Sequence, residues 1–186
     1  GGLIDDGGMR LIQQGILNGV RKAIDTGTHV TGMALGSDDL MQWLATQRNV
    51  VFRGANHTHE VNAIRQLDGF VSVNSAVEVD LFGQVNAEMT GDRQISGTGG
   101  SVDFMRAAKA SKDGRSIVAM NATARGGSVS RIVPKVEMVT ALRTDVDTVV
   151  TEYGVAQIKD LPNVARAEAM IEIAAPQFRD QLRQHL

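Results

Sequence analysis

Apolar and polar positions alternate most clearly over residues 71–79, where the chain reads VSVNSAVEV. Valine fills most of the alternate positions, and this pattern predicts a β-strand. It breaks at Asp80, resumes over residues 84–86, and is followed by a run with little side-chain bulk, SGTGGS at residues 96–101. Helical spacing begins directly afterwards, so we expect a helix over residues 103–110. The other predicted elements are arranged around this succession of strand, glycine-rich turn and helix.

Short β-branched runs and segments with helical spacing alternate along the remaining chain. The further predicted strands cover residues 29–35, 49–52, 116–120 and 146–151. The further predicted helices begin at Met9 and after the capping residue Ser37, and cover residues 60–67, 165–174 and 178–186. The alternation predicts a layered α/β fold with a largely parallel sheet in a single domain, residues 1–186. Four methionines on apolar patterns are predicted core residues: Met33, Met41, Met105 and Met120.

Composition narrows the class of protein. With 42% hydrophobic and 22% charged residues, the 186-residue chain is typical of a globular domain with one core. A net charge of −2 gives no electrostatic case for binding nucleic acid or an anionic membrane surface. The absence of cysteine excludes disulfides and cysteine metal ligands. With no signal peptide or membrane-spanning run in the sequence, we expect a cytoplasmic protein. Because Gly1 is not preceded by Met, we expect a fragment or a processed chain.

The glycine loop is the first candidate for chemistry. Gly97, Gly99 and Gly100 fall within four residues, which permits positive φ and close approach of another molecule to the backbone. Backbone N–H groups near a helix start can also hold an anion or a developing oxyanion. A turn that only redirects the chain would use the same residues, so both interpretations stand on spacing alone.

A second candidate is the motif NHTHE, in which His57 and His59 precede Glu60. These side chains could chelate a metal ion, but no third strong ligand follows at useful spacing. We therefore expect no metal site.

Four longer stretches are more specific than either motif. They are NSAVEVDLFGQVNAE, SGTGGSVDF, GRSIVAMNATARGGSVSRIVP and DVDTVVTEYGVAQIKDL. In this order they resemble the acetyl-CoA hydrolase/transferase family, in particular its 4-hydroxybutyrate CoA-transferase and acetate CoA-transferase types. The resemblance runs from about Leu3 to the C-terminus and matches only the C-terminal half of such enzymes. It implies a three-layer α/β/α domain, an N-terminal domain of the same enzyme as partner, and a homo-oligomer.

The resemblance also implies a mechanism. A glutamate attacks the acyl-CoA thioester, and the released CoA thiolate then forms an enzyme-glutamyl-CoA thioester that a small carboxylic acid resolves. If water resolves the intermediate instead, the enzyme is an acyl-CoA hydrolase. Coenzyme A is a substrate in both cases, and no permanently bound cofactor is expected.

The nucleophile itself is missing from the expected position. The family pattern His-Thr-Glu-Met-x-x-Asp-Gly, set against GGLIDDGGMR, places its Glu on Gly2 and its Asp on Asp6. Either Gly2 is a true divergence, which would leave a non-catalytic CoA-binding or subunit-pairing domain, or the chain does not start at its natural residue. Asp5 and Asp6 are interpreted as residues that cap the following helix, and not as replacement nucleophiles.

The resemblance assigns roles to further residues. Gly99 and Gly100 would stabilise the thioester oxyanion with Gly97 lining the same site, and His59 and the weaker candidate Asn56 would face the substrate. Glu78 would orient substrate or hold the loop, unless it is a purely structural carboxylate. CoA phosphates require cations, for which the predicted residues are Lys112 and Arg125; each alone could equally be a solvated surface charge.

Overall fold

A computed structural model describes all of residues 1–186. The helices are α1 (Asp6–Gln13), α2 (Asp38–Leu44), α3 (Ala55–Thr58), α4 (Val61–Ile64), α5 (Ser101–Ala110), α6 (Asn163–Glu172) and α7 (Pro176–Arg183), with a 3-10 helix at Arg125–Gly127. The strands are β1 (Leu3–Ile4), β2 (His29–Thr31), β3 (Met33–Ala34), β4 (Val50–Phe52), β5 (Val71–Asn74), β6 (Glu78–Asp80), β7 (Val85–Asn86), β8 (Met89–Thr90), β9 (Arg93–Gln94), β10 (Arg115–Ala119), β11 (Thr123–Ala124), β12 (Val129–Ser130), β13 (Ile132–Val133), β14 (Thr148–Thr151) and β15 (Gly154–Gln157). No helix combines the length and the apolar character needed to cross a bilayer.

The largest sheet has four strands in the order β15-β14-β10-β5. β5, β10 and β14 run parallel, and β15 returns antiparallel to β14. The α/β class and the largely parallel pairing are therefore confirmed. Helix α5 connects β5 to β10 and packs on both strands, while α6 packs on β15.

The two faces of this sheet differ sharply in burial. On one face the side chains of Ser116, Val118 and Val149 are completely buried. On the opposite face Val73 and Val155 are 64% and 60% exposed. Within this chain, helices and loops therefore cover one face of the sheet and leave much of the other accessible.

The main hydrophobic core is formed by the second part of the chain. Its 19 buried residues all lie between Ala76 and Leu182. The buried apolar residues before position 76 lie outside this cluster, in smaller groups around the first strands and helices; they are Ile4, Met9, Leu40, Val50 and Ile64. The domain thus contains one large core and a separately packed N-terminal segment.

The N-terminal segment is built on short parallel pairs, β1 with β3 and β2 with β4. The Asp5 carboxylate accepts a hydrogen bond from the Gly8 amide at 2.8 Å and caps α1, as predicted. Asp6 links α1 to the start of α2, because its carboxylate accepts the Ser37 hydroxyl at 2.5 Å and the Ser37 amide at 3.0 Å. These hydrogen bonds lower the pKa of Asp6.

The prediction of one strand over residues 71–79 was wrong. The chain leaves the four-stranded sheet after Asn74, and β6 joins a separate sheet of order β13-β6-β7. Asp80 explains the break that follows: its buried carboxylate accepts from the Phe82 and Gln84 amides and from the Gln84 side chain. A carboxylate satisfied by amides two and four residues ahead forces a tight turn.

Other sequence predictions were wrong in their details. The strand predicted over 29–35 is interrupted at Gly32, whose amide donates to the Gly2 carbonyl. The helix predicted from residue 178 begins at Pro176, the first helical residue, where a missing N–H costs nothing.

Met105 and Met120 are buried as predicted, but Met33 and Met41 are exposed. Their apolar patterns lie in the N-terminal segment, outside the main core.

We expect Met105→Ala to lower the free energy of unfolding by about 2–5 kcal/mol, because the side chain is almost completely buried and its removal leaves a cavity in the core. The matched variant Met41→Ala, on an exposed helical position, should change it by no more than about 0.5 kcal/mol. Urea unfolding followed by circular dichroism measures both. Equal losses of unfolding free energy in the two variants would contradict the assignment of Met105 to the core and of Met41 to the surface.

We expect Asp6→Asn to reduce stability more at pH 7 than at pH 2. The folded-state pKa of Asp6 lies below its ordinary value of 3.8. The ionised carboxylate therefore stabilises the fold fully above that value, and the contribution is lost as the pH falls through the lowered pKa. Urea midpoints at the two pH values test this. Asp92→Asn, in the exposed turn between β8 and β9, serves as control and should not show the same dependence.

Candidate functional site

Residues from both parts of the chain converge at one point beside β1. A Cβ placed on Gly2 would lie 3.2 Å from His59 Nε2 and 3.3 Å from the Phe104 ring. A Cβ on Gly100 would lie within 2.1 Å of His59 Cδ2, so residue 100 must be glycine for the ring to occupy this place. The rings of His59 and Phe104 are 4.7 Å apart, centre to centre. Two backbone positions without side chains thus flank one imidazole.

The His59 ring is held by its neighbour in the chain. His59 is the C-cap residue that directly follows α3. Its Nδ1 lies 2.8 Å from the hydroxyl oxygen of buried Thr58. This contact leaves Nε2 as the nitrogen closest to position 2. Gly2 is itself fixed, because its carbonyl accepts the Gly32 and Met33 amides at 3.2 and 3.1 Å. A side chain at residue 2 would therefore point at the free nitrogen of the histidine.

The glycine loop provides donors on the other side of the imidazole. Gly100 stands at the start of α5 without a side-chain cap, and Gly99 has a φ of 57°. None of the backbone amides of residues 97–100 donates to another protein group. Unpaired amides at the start of a ten-residue helix favour negative charge. The loop therefore has the donor groups that an oxyanion site requires.

A network of hydrogen bonds anchors the hairpin β8–β9 from which this loop extends. The buried side chain of Asn86 accepts the Glu88 and Met89 amides and donates to Glu78 at 3.0 Å. The Glu88 carbonyl in turn accepts the Ile95 and Ser96 amides. Glu78 thus contributes to the support of the hairpin, and no contact links its carboxylate to the glycine loop directly.

The structure brings together only some of the residues predicted for the site. His59 and Gly100 are in contact, and Gly97 and Gly99 precede Gly100 in the same exposed loop. Asn56 lies on α3, one turn before His59. Lys112 follows α5, and Arg125 begins the 3-10 helix with a φ of 50°. All three residues are exposed, and none of them hydrogen-bonds to the imidazole, whose hydrogen-bond partner is Thr58.

His57 and His59 do not face a common point. His57 Nε2 lies 2.8 Å from the Asp25 carboxylate, whereas His59 faces Gly2 and Gly100. No group of three or more potential metal-ligating side chains is present in the structure.

A mostly apolar cavity of about 440 Å³ lies beside Phe104 and is lined by residues of β1, β2, α1, α3 and α4 and of the segment 17–28. Three basic side chains line it: Lys22, His29 and His57. Burial lowers the pKa of Lys22, and the Asp25 carboxylate partly offsets this. Burial also lowers the pKa of His29, and the charge of Lys22 lowers it further. His59, Gly97 and Gly100 do not line this cavity. Thr58, Phe104 and the two neighbours of Gly2 do line it, so the cavity adjoins the cluster around the imidazole.

Sequence reasoning missed two contributors. Phe104 lies in the predicted helix over residues 103–110 and was not singled out, yet its ring closes one side of the His59 position. Thr58, which orients the imidazole, was not singled out at all. The spacing of Phe104 offered a signal, since a side chain four residues after Gly100 lies above the first helical turn.

The geometry defines a class of site: an α/β domain that holds an imidazole between a helix-start glycine loop and an accessible backbone position. The sequence profile described as acetyl-CoA hydrolase/transferase C-terminal domain matches residues 36–186. The chain belongs to this family, and the resemblance drawn from its motifs is confirmed.

Particular relatives agree with this assignment. The 4-hydroxybutyrate coenzyme A transferase of Clostridium kluyveri is 42% identical over 183 residues, covering 97% of this chain and 43% of that protein. The butyryl-CoA:acetate CoA-transferase of Anaerostipes caccae is 39% identical, covering 92% and 40%. The crystal structure of RipA from Yersinia pestis matches with a TM-score of 0.91 at 36% identity, covering 99% and 41%. The chain therefore spans about two fifths of the length of these relatives.

We expect Gly100→Ala to displace the His59 ring, because the added methyl would overlap it. Gly97→Ala is the matched control, since a Cβ there meets no atom within 4 Å and φ is not positive. The chemical shifts of the His59 imidazole in a ¹H–¹³C NMR spectrum report the displacement. Unchanged shifts in Gly100→Ala, or equal changes in both variants, would show that the contact does not fix the ring.

Proposed function

We propose that this domain is the C-terminal part of a CoA-transferase that moves CoA between an acyl-CoA and a small carboxylic acid of the 4-hydroxybutyrate or acetate type. The observation that carries the proposal is the position of Gly2. The family pattern places its glutamate at this residue, and a side chain built there points at His59 Nε2, next to Gly100. A carboxylate at position 2 would therefore lie on one side of the His59 imidazole, with the unpaired amides of the glycine loop on the other side.

This arrangement supports each step of the transfer. A carboxylate oxygen at position 2 attacks the thioester carbonyl, and the amides of Gly99 and Gly100 donate to the oxyanion that forms. CoA leaves as the thiolate, which His59 stabilises or protonates. The thiolate then attacks the glutamyl carbonyl and releases the first acid. A second carboxylate attacks the resulting thioester, and reversal of the same steps yields the new acyl-CoA.

Substrate binding is the second part of the proposal. The CoA diphosphate and 3′-phosphate require cations outside the reacting centre, and the exposed side chains of Lys112 and Arg125 are available for them. We assign Asn56 and Gly97 to the walls near the acyl group. On the grounds of sequence given above, the proposal includes a homo-oligomeric, cytoplasmic enzyme with an N-terminal domain as the other wall of the groove.

Gly2 also supports a second candidate function. Without a carboxylate at this position the chain has no nucleophile, so it would bind CoA or a partner subunit without catalysing transfer. The hydrolase alternative needs the same nucleophile or a directed water and differs only in what resolves the intermediate. The experiment below separates the three functions.

We expect Gly2→Glu to form a CoA thioester in a fused polypeptide in which this chain replaces the C-terminal part of the Clostridium kluyveri enzyme. The variant is incubated with acetyl-CoA and then with borohydride, which reduces a glutamyl thioester to an alcohol; intact-mass and peptide analysis should locate the loss at residue 2. Transfer to butyrate should exceed that of Gly2→Gln, and of the unaltered sequence, by roughly 10³-fold or more.

The controls assign the alternatives. Gly2→Gln preserves the size of the side chain but removes the nucleophile. CoA release that needs no acceptor acid would favour a hydrolase. CoA binding without an adduct in Gly2→Glu would overturn the transferase and leave a binding domain.

A further inference from the structure

The apolar cavity beside Phe104 has the size and the composition of a ligand pocket. Its volume of about 440 Å³ falls in the range of about 300–1,000 Å³ found for pockets that enclose small organic ligands, which are mostly apolar with a few polar groups. Much of the wall consists of apolar side chains from β1, β2, α1, α4 and the segment 17–28; they are Leu3, Ile12, Leu17, Ile24, Val30 and Ile64. Because apolar surface gains free energy when it leaves water, this wall favours the alkyl chain of a ligand.

Lys22 is the charged group of the cavity that lacks a counter-ion. Its Nζ donates to the Thr28 carbonyl at 2.9 Å, and this is its one hydrogen bond. An ammonium group has three donors, so donors remain for a ligand. Lys22 takes part in none of the salt bridges of the structure. A bound anion would therefore supply the partner that the protein does not.

The two carboxylates that line the cavity already have partners. Asp25 Oδ2 lies 2.8 Å from His57 Nε2, and Asp5 accepts the Gly8 amide at 2.8 Å. Burial and the charge of Lys22 hold the pKa of His29 below its ordinary value of 6.5, so this imidazole is mainly neutral at pH 7. Lys22 is thus the side chain that attracts an anion into the cavity.

The anion that suits this setting is a monocarboxylate. A phosphate dianion would keep one charge uncompensated in a largely apolar cavity, close to the Asp25 carboxylate, and an unpaired charge is costly to bury. A single carboxylate matches the single ammonium. An amine or other cation would be repelled by Lys22.

A shared wall separates this cavity from the histidine site. Gly1 and Leu3 line the cavity, whereas a side chain at residue 2 points at His59, as alternation along an extended segment requires. The Phe104 ring belongs to both places, since it lines the cavity and lies 3.3 Å from a Cβ at residue 2. A ligand in the cavity would therefore contact both flanks of position 2 without touching a reacting group.

We propose that this cavity binds a free apolar monocarboxylate of about eight carbons, with its chain against the apolar wall and its carboxylate on the Lys22 ammonium. A ligand that binds only the folded form stabilises it by mass action. The acid would thereby stabilise the N-terminal segment and the wall that it shares with the histidine site. It is not a reactant, so the binding site does not depend on whether the chain belongs to a transferase or a hydrolase.

Calorimetric titration of the 186-residue chain with butyrate, hexanoate and octanoate tests the occupant. The Kd should fall by about fourfold for each added methylene, because each one leaves water for the apolar wall. The uncharged analogue 1-octanol should bind at least about tenfold more weakly than octanoate, since it lacks the charged hydrogen bond to Lys22.

Two lysine variants test the role of the charge. Lys22→Met keeps an unbranched side chain of similar length and should weaken octanoate binding by about tenfold. It should leave the binding of 1-octanol within about twofold, which also shows that the cavity has stayed folded. Lys135→Met is the matched control, because this exposed lysine does not line the cavity; its affinity for octanoate should not change.

Amide hydrogen exchange tests the effect on position 2. The Gly32 and Met33 amides donate to the Gly2 carbonyl and report on the shared wall. At an octanoate concentration of about ten times Kd, their exchange should slow by about tenfold, and in Lys22→Met by only about twofold. In the ¹H–¹⁵N spectrum, octanoate should shift the amides of cavity residues such as Leu17 and Ile24.

The fused polypeptide described above, with Gly2 retained, removes one complication. In the 186-residue chain the terminal ammonium of Gly1 also lines the cavity and donates to the Val30 carbonyl at 2.7 Å. In the fusion residue 1 has no terminal charge, and octanoate should still bind with the same dependence on Lys22.

Each other result overturns the proposal. Equal binding of octanoate and 1-octanol, or unchanged octanoate binding in Lys22→Met, means that the cavity only accepts apolar molecules. No heat of binding below the micelle concentration of octanoate, or loss of binding in the fused polypeptide, means that the cavity is not a site in the enzyme. Spectral shifts confined to residues 97–100 place the acid at the transfer site. Unchanged exchange of Gly32 and Met33 with octanoate bound removes the stabilising role. Because no measurement uses CoA, these outcomes do not change if the Gly2→Glu adduct fails to form.

Discussion

The site depends on a close approach that no side chain would permit. The imidazole of His59 occupies the space in which a Cβ of residue 100 would lie, and it stands within van der Waals distance of a Cβ at residue 2. The glycine loop is therefore selected by sterics at Gly100 and by backbone conformation at Gly99, whose φ is positive. The two adjacent glycines are therefore required for different physical reasons, although in the sequence they belong to one motif.

The support of this loop comes from residues outside the loop itself. Asn86 holds the base of the hairpin with two accepted hydrogen bonds, and it gives one to Glu78. Buried side-chain amides that satisfy backbone donors in this way fix a single conformation, since losing them would leave unpaired polar groups. The Glu78 carboxylate, a candidate site residue in the sequence, accepts a hydrogen bond within this network.

The sequence allowed the class of fold to be predicted because hydrophobic periodicity reflects burial directly. It could not show that the chain changes sheets after Asn74, because Val73 and Val79 have the same local pattern and differ only in distant partners. Periodicity also failed for Met33 and Met41, which are apolar yet exposed. For the site, the motif NHTHE identified His59, but the contacts of Thr58 and Phe104 with it arise from tertiary packing. The role of Gly2 came from the resemblance, and its direction toward His59 came from the structure.

The division of the hydrophobic core has a consequence for local unfolding. His59 and Gly2 belong to the separately packed N-terminal segment, whereas Gly100 and Phe104 belong to the part that builds the main core. Proteins open in cooperative units whose free energies follow their buried contacts. The first 70 residues, resting on small apolar groups and a cavity, form the weaker unit. Local unfolding of that segment, which amide exchange detects, would therefore disrupt the histidine site while the sheet remained folded. The geometry of the site thus depends on the contact between two folding units.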